Sequence, residues 1–313
     1  MRFLGREQSQ PNQSGQEEKP ETKTQTSVDG VSDPSVLTSQ ITNLKQSFRY
    51  KGYTHIRMSE VATFCPREQA IGYLKNIKKK DFVETPLQVQ FDLGSALHFW
   101  FQNHSKITKD VLFGNWKCLS CHNFRKNDDG SNYFGPRPSK YLKRPCETCG
   151  ASTDATFFEE FFFRMDRPYP VVGKFDGIIC KDGVYRLVDF KSYFEASNFP
   201  LTKDVIQIVS YAHFYEFLPD HLKLPVPIDI GTSYLMYISK KFNYKSPILT
   251  YPVKKTKGMM DKITSQVDQV RHAQDTNELP APLNSCVKNN FSSGKAKQCY
   301  LAQYCKEEYD NGN

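Results

Sequence analysis

The sequence lacks any apolar stretch of membrane-spanning length. Its richest runs, Phe157-Phe158 and Phe161-Phe162-Phe163, are broken by charges, whereas a membrane helix needs ~20 apolar residues. The opening MRFLGREQSQPNQ lacks the apolar core of a secretory signal. That predicts a reducing, cytoplasmic setting, a viral host's cytoplasm included, with nuclear or organellar placement left open. A disulfide framework is disfavoured there, so nine cysteines point first to metal ligation. The chain also lacks internal repeats and a Walker-type phosphate loop, which excludes a P-loop motor within it. What is present suffices for a core: 38% of the 313 residues are hydrophobic and 13% aromatic, which excludes wholesale disorder. The length fits one elaborated domain or two modest ones. A formal charge of +8 suits an anionic partner without identifying one.

Composition divides the chain. Residues 1–48 are rich in Gln, Ser, Thr, Glu, Lys, Asn and Pro and predict a disordered or tethering arm. Residues 49–113 read as a helical part. Apolar spacing from Met58 to Leu74 predicts helix N-capped by Ser59, with Pro66 as a break or as the first turn of a second short helix. A second helix is predicted over 89–107, with Leu93, Leu97, Trp100 and Phe101 on one face. Residues 114–155, with two CxxC pairs and little periodicity, predict a metal-organised insertion. A core over 156–278 follows, with strands at 157–165, 171–180 and 184–190 and a helix at 203–217. Strands at 228–238 and 248–253 and a helix at 257–273 complete it. Residues 279–313 hold three further cysteines.

The most informative stretch is Gly173-Lys174-Phe175-Asp176-Gly177 followed by Asp189-Phe190-Lys191. Period-two alternation puts Asp189 and Lys191 on one face of a strand, with Asp176 near a turn. Two carboxylates and an amine converging at a strand end suit Mg²⁺ or Mn²⁺, with the lysine orienting or deprotonating a water. A surface ion pair has the same spacing. His98, in Gly94-Ser95-Ala96-Leu97-His98, reads singly as a hydrogen-bonded core histidine. Gln207 and Tyr211, at i, i+4 on the following helix, read singly as a polar helix edge.

Taken together and in this order, these residues resemble the PD-(D/E)XK nuclease superfamily, specifically its RecB-like branch. The resemblance implies an α/β restriction-endonuclease-like core: a mixed central sheet flanked by helices. By matched position it implies that His98, Asp176 and Asp189 ligate the metals, with the Phe190 carbonyl as an added ligand. Lys191 would act on the nucleophilic water, and Gln207 and Tyr211 would position the DNA strand. Asp189 stands where many members have Glu, and Glu159 or Glu160 would supply a further upstream acid.

Cys118-Leu119-Ser120-Cys121 and Cys146-Glu147-Thr148-Cys149 have the spacing of a four-sulfur structural zinc site. No βαβ context of the redox kind surrounds either pair. Between them, Arg125, Lys126, Arg137, Lys140, Lys143 and Arg144 interleave with Tyr133, Phe134 and Tyr141. That pattern suits phosphate contact and base stacking, or equally a solvated insertion or a protein docking surface. Cys65, Cys286, Cys299 and Cys305 read from spacing alone either as unrelated thiols or as one site. Bracketing this core, they resemble the iron–sulfur members of the superfamily, among them the CRISPR-associated exonucleases and the AddB nuclease domains. The resemblance implies a [4Fe–4S] cluster stapling the two chain ends. Cys180 reads as a core thiol.

The function so implied is a metal-dependent deoxyribonuclease, acting as an exonuclease on single-stranded DNA or frayed ends. Its setting would be recombination, repair, viral DNA processing or spacer acquisition, without a membrane partner. Any unwinding would come from a helicase or from a recombination or replication complex. The alternative is a non-catalytic DNA-binding or assembly module, with a zinc-ribbon regulatory factor as a third reading.

Overall fold

In the computed structural model, the described residues are 47–51, 53–83, 85–103, 112–138, 145–152, 156–194, 199–241 and 248–311. The arm expected at 1–48 lies outside them up to residue 46. Three sheets are present among these residues. The largest runs β12(Ile248–Lys254), β11(Thr232–Ser239), β10(Val184–Tyr193), β9(Gly177–Lys181), β4(Leu112–Cys118), β5(Phe134–Gly135), with β6(Thr156–Glu159) also on β4. A three-stranded sheet joins β2(Ile56–Arg57), β8(Val171–Phe175) and β7(Phe161–Met165), and β1(Ser47–Lys51) pairs with β3(Lys79–Val83). The fold is therefore mixed α/β, a central mixed sheet flanked by helices.

Two connections set the active geometry. The β9–β10 hairpin is antiparallel, turning at Asp182-Gly183, both at positive φ, a conformation glycine adopts without steric cost. Strands β10 and β11 are parallel, which demands a crossover, and α3(Thr202–Glu216) supplies it. Alternation along β10 then sorts its side chains. Leu187 and Tyr193 pack in the core that contains Ile208 and Tyr211 of α3. Val188 and Phe190 pack in a second core with Phe101 of α2(Thr85–Asn103). Asp189 and Lys191 share the parity of Leu187 and so lie on the α3 side.

Strand β4 departs from expectation: it spans the boundary set at 113/114, joining β9 of the central sheet through Leu112 and Phe113 and running on into the segment read as an insertion. Its buried positions, Leu112, Gly114, Trp116 and Cys118, alternate, but glycine and the CxxC motif hide that period. The "helical" part likewise contains β1, β2 and β3. The helix predicted over 58–74 divides into a 3₁₀ turn, Met58–Glu60, and α1(Pro66–Leu74), with Cys65 at the N-cap and Pro66 in the first turn, where proline costs no hydrogen bond. The inward face assigned to α2 is also corrected. Phe101 is buried, but Leu93 and Trp100 are exposed, because the helix is apolar around most of its circumference and only one side meets β10.

Glycine at 173 marks a tight crossing. A Cβ there would stand 2.6 Å from the Phe163 ring and 3.0 Å from that of Tyr211. Gly173→Ala is expected to cost about 1–3 kcal/mol through overpacking, read as a lowered urea midpoint with unchanged slope.

Candidate active site

The site forms where the chain changes sheets. Strand β6 belongs to the large sheet and β7 to the small one, and Glu160 is the residue between them. Strand β8 belongs to the small sheet and β9 to the large one, and Asp176 is the residue between those. Both carboxylates thus sit at seams where the pleat is broken and side chains escape strict alternation. Helix α2 lies beside these seams and adds His98. A Cβ on Gly94, four residues earlier, would meet Ser192 Oγ of β10 at 3.2 Å, so the glycine lets α2 approach closely.

His98, Glu160 and Asp176 each offer a ligand atom within 4.8 Å of the others, a group able to hold a metal ion. His98 Nδ1 is 3.7 Å from Asp176 Oδ2, and burial lowers the His98 pKa, which keeps the ring neutral and free to ligate. Asp176 Oδ2 accepts from the Phe190 N–H at 2.6 Å. Burial, followed by the nearby Asp189 and Glu160 charges, pushes Asp176 well above the usual carboxylate range. A cation relieves that repulsion. Glu160 pairs with Lys174 at contact, while Glu159, at the edge of the same cleft, pairs with Lys117 at 3.0 Å and stands outside the three-residue group. Of the two acids left open by the sequence, Glu160 is the one at the site.

Asp189, 2% exposed, stands outside that three-residue group. Its Oδ2 lies 2.7 Å from Lys191 Nζ, an ion pair at contact whose angles fall outside hydrogen-bond geometry. Lys191 Nζ donates to Gln207 Oε1 at 2.9 Å, and Gln207 Nε2 donates to Tyr211 Oη at 2.9 Å. Burial would lower the Lys191 pKa, but Asp189 and Asp176 outweigh it and raise it. The ammonium is therefore a fixed donor at neutral pH. Tyr211 is pushed upward by burial and Asp189, so its hydroxyl stays protonated.

One residue was missed by sequence reasoning. Gln102 Nε2 donates both to the Asp176 carbonyl at 2.8 Å and to Glu160 Oε1 at 3.2 Å. It ties the two seams together from a buried position. The signal was its i+4 spacing from His98 on one helix face.

The two CxxC segments form matching knuckles. His122 N–H donates to Cys118 O at 2.9 Å, and Gly150 N–H to Cys146 O at 2.8 Å. Cys118 N–H donates to Asn123 O, and Cys146 N–H to Ala151 O, at 2.9 and 2.7 Å. His122 and Gly150 both take positive φ, which turns the chain back after each second cysteine. Cys118 Sγ is 3.6 Å from Cys149 Sγ, and Cys121 Sγ is 3.7 Å from Cys146 Sγ. A tetrahedron with ~2.3 Å metal–sulfur bonds has edges of about 3.8 Å, so the four sulfurs suit one ion. Burial pushes the Cys118 thiol up, but the N–H groups of Cys121 and Ser120 outweigh it and bring it to about 6.

The basic loop between the knuckles is used differently from expectation. Arg125 is fully buried, 3.5 Å from Glu147 and donating to Pro145 O. Arg137 lies over the Trp116 ring and donates to Thr156 O. Lys126 donates to Asn132. These three hold the ribbon together, Phe134 packs against the core, and Tyr133 donates to Pro136 O. Lys140, Tyr141, Lys143 and Arg144 lie outside the described residues.

Cys65, Cys286, Cys299 and Cys305 line one small cavity, with Phe291 and Ala296 among its walls. They come from the α1 N-cap, from the short helix α4(Asn284–Val287), from the C-cap of α5(Gly294–Gln298) and from α6(Ala302–Asp310). Their sulfurs do not gather within the 4.8 Å span of the knuckle quartet. Buried Arg67 donates through Nε to Cys305 Sγ at 3.2 Å. Burial raises the Cys65 and Cys305 thiols, and burial with Glu68 raises Cys299 to about 12. Cys180 is partly buried on β9.

The fold and site define a mixed α/β protein with a carboxylate–histidine group able to hold a metal ion beside the Asp189–Lys191–Gln207–Tyr211 chain, and with a separate four-sulfur group able to hold another. No family model matches the chain, and no curated protein matches it. Among solved structures it is similar to the crystal structure of SSO0001, with a TM-score of 0.35 and 13% identity, covering 87% of this chain and 92% of that one. It is also similar to an alkaline exonuclease, LHK-Exo from Laribacter hongkongensis, with a TM-score of 0.35 and 7% identity, covering 88% of this chain and all of that one. Among the described residues no helix is long and apolar enough to cross a membrane.

Proposed function

We propose that the chain is a divalent-metal-dependent deoxyribonuclease of the RecB-like PD-(D/E)XK kind, acting as an exonuclease on single-stranded DNA or frayed ends. The observation that carries this reading is the convergence of His98, Glu160 and Asp176 beside the Asp189–Lys191 pair, backed by Gln207 and Tyr211. Carboxylate oxygens and a neutral imidazole suit Mg²⁺ or Mn²⁺, held by His98, Glu160, Asp176 and Asp189 with the Phe190 carbonyl. When bound, such an ion polarises the scissile phosphate and acidifies a water. Lys191, protonated and fixed by Gln207, orients the attacking water or the phosphate oxygen, and Tyr211 fixes Gln207. Gln102 keeps Glu160 and Asp176 at their separation.

The knuckle quartet is assigned to structural zinc, supported by its sulfur spacing. The Cys65, Cys286, Cys299 and Cys305 cavity is assigned to a [4Fe–4S] cluster, supported by an all-thiol donor set more widely spread than a single ion requires. The partners in this reading are DNA and a helicase, recombination or replication complex that supplies unwinding, in the cytoplasm.

The test is incubation with Mn²⁺ or Mg²⁺ and end-labelled linear or closed circular single-stranded DNA. Ion-dependent loss of the linear strand with the circle spared is expected. Cutting of the circle would make the enzyme an endonuclease. Ion-dependent binding of both strands without cleavage would leave the assembly-module reading.

A further inference from the structure

Strand β7 presents Phe161, Phe163 and Met165 to one side, and Phe163 and Met165 are buried in the main core. Its other side carries Phe162 and Arg164, and faces outward beside Lys174 of β8. Outward positions of a sheet are ordinarily polar, and Arg164 and Lys174 obey that rule. Phe162 does not: it is 61% exposed and joins none of the hydrophobic cores. Helix α2 exposes several apolar side chains, and one of them, Phe99, 51% exposed, directly follows His98. Both rings line one cleft of about 590 Å³ that also contains His98, Glu160, Asp176 and Lys174. Single exposed rings are ordinary on a surface, but contiguous apolar surface marks binding sites, and here two rings line one cleft with an acidic, cation-demanding group.

We infer that Phe99 and Phe162 form a base-stacking subsite for an unpaired nucleotide whose phosphate lies at the metal group. The inference rests on the proposed nuclease reading and adds to it the means of selecting single strands. An aromatic ring accepts any base by its π-face, so it gives affinity without sequence preference. A paired base is already stacked on both faces within its duplex and has none to offer. Lys174 lies opposite Phe162 on the neighbouring strand, pairs with Glu160 and lines the same cleft, where it would offer positive charge to the phosphodiester backbone.

The experiment measures binding, by fluorescence anisotropy in Ca²⁺, of a labelled oligothymidine and of an abasic strand of equal length. Wild type is expected to bind the base-bearing strand at least about ten-fold tighter than the abasic one, from the usual worth of base–aromatic stacking. Phe99→Ala with Phe162→Ala should equalise the two strands, and Phe162→Tyr should keep the preference. Phe162→Leu, which preserves apolar area without a ring, should lose it. Equal binding of the two strands by wild type, or an alanine variant that weakens both equally, overturns the subsite. If wild type cleaves DNA in Mn²⁺ and yet binds both strands equally, only the subsite fails. If it neither binds nor cleaves either strand, the nuclease reading fails with it.

Discussion

Asp176→Asn is expected to abolish ion-dependent DNA cleavage while leaving the protein as stable as before, or more so. The two halves of that expectation have one cause. Asp176 is buried beside Asp189 and Glu160, and all three effects push its pKa up. An amide keeps an oxygen for the Phe190 N–H and removes the charge that repels its neighbours. Loss of one group that stabilises charge in a transition state costs about 10²–10³ in rate, and loss of a metal ligand is expected to reach at least that. The pH dependence follows from the direction of the shift. A group whose folded pKa is raised gives stability that is fully present below its unfolded pKa, ~4 for a carboxyl, and is lost as pH rises through the folded value. Without added Mg²⁺ or Mn²⁺, the melting temperature of wild type should therefore fall as pH rises above ~4, and that of Asp176→Asn should fall less. Activity within ten-fold of wild type, or a variant that melts lower at every pH, would count against this role.

Cys146→Ser has the second largest expected effect. Cys146 is 3% exposed and sits in the quartet whose sulfurs approach to 3.6 and 3.7 Å. Structural zinc binds zinc-finger peptides with apparent free energies of about 10–16 kcal/mol, as large as the whole stability of many domains. Without the ion, the knuckles lose what closes them, and buried Arg125 and Glu147 lose their frame. Trp116 reports the damage, because its indole is fully buried and donates to Gly135 O of the ribbon. The chain's other tryptophan, Trp100, is already exposed, so a red shift in emission reports on Trp116. The expected result is loss of bound zinc together with that shift. Full metal content with unchanged emission would remove the quartet's structural role.

What could be read from sequence follows the regularity of the elements. Asp189 and Lys191 were legible because period two holds through β10, and Gln207 and Tyr211 because i, i+4 holds through α3. The choice between Glu159 and Glu160 was not legible, because alternation breaks at the seam between β6 and β7. That break cannot be located without knowing that the two strands enter different sheets. Strand β4 was hidden by Gly114 and by the cysteines, although its burial alternates strictly. The inward face of α2 was misassigned because hydrophobicity surrounds that helix, so apolar spacing alone could not separate core contacts from exposed rings. Arg125 and Arg137 suited phosphate contact or a solvated loop from composition, yet Arg125 is buried and Arg137 is taken up by Trp116 and Thr156. In each miss, a local pattern was overruled by a neighbour far away in sequence.

The central claim is that Lys191, paired with Asp189 and held by Gln207, serves a phosphodiester hydrolysis at this site. The most direct measurement is single-turnover degradation of single-stranded DNA, labelled at either end, in Mn²⁺. Wild type, Lys191→Ala and Asp189→Ala should be run in parallel. The account predicts ion-dependent degradation by wild type, stopped by chelation and slowed by roughly 10² or more in each variant. Degradation at the wild-type rate by both variants would contradict it.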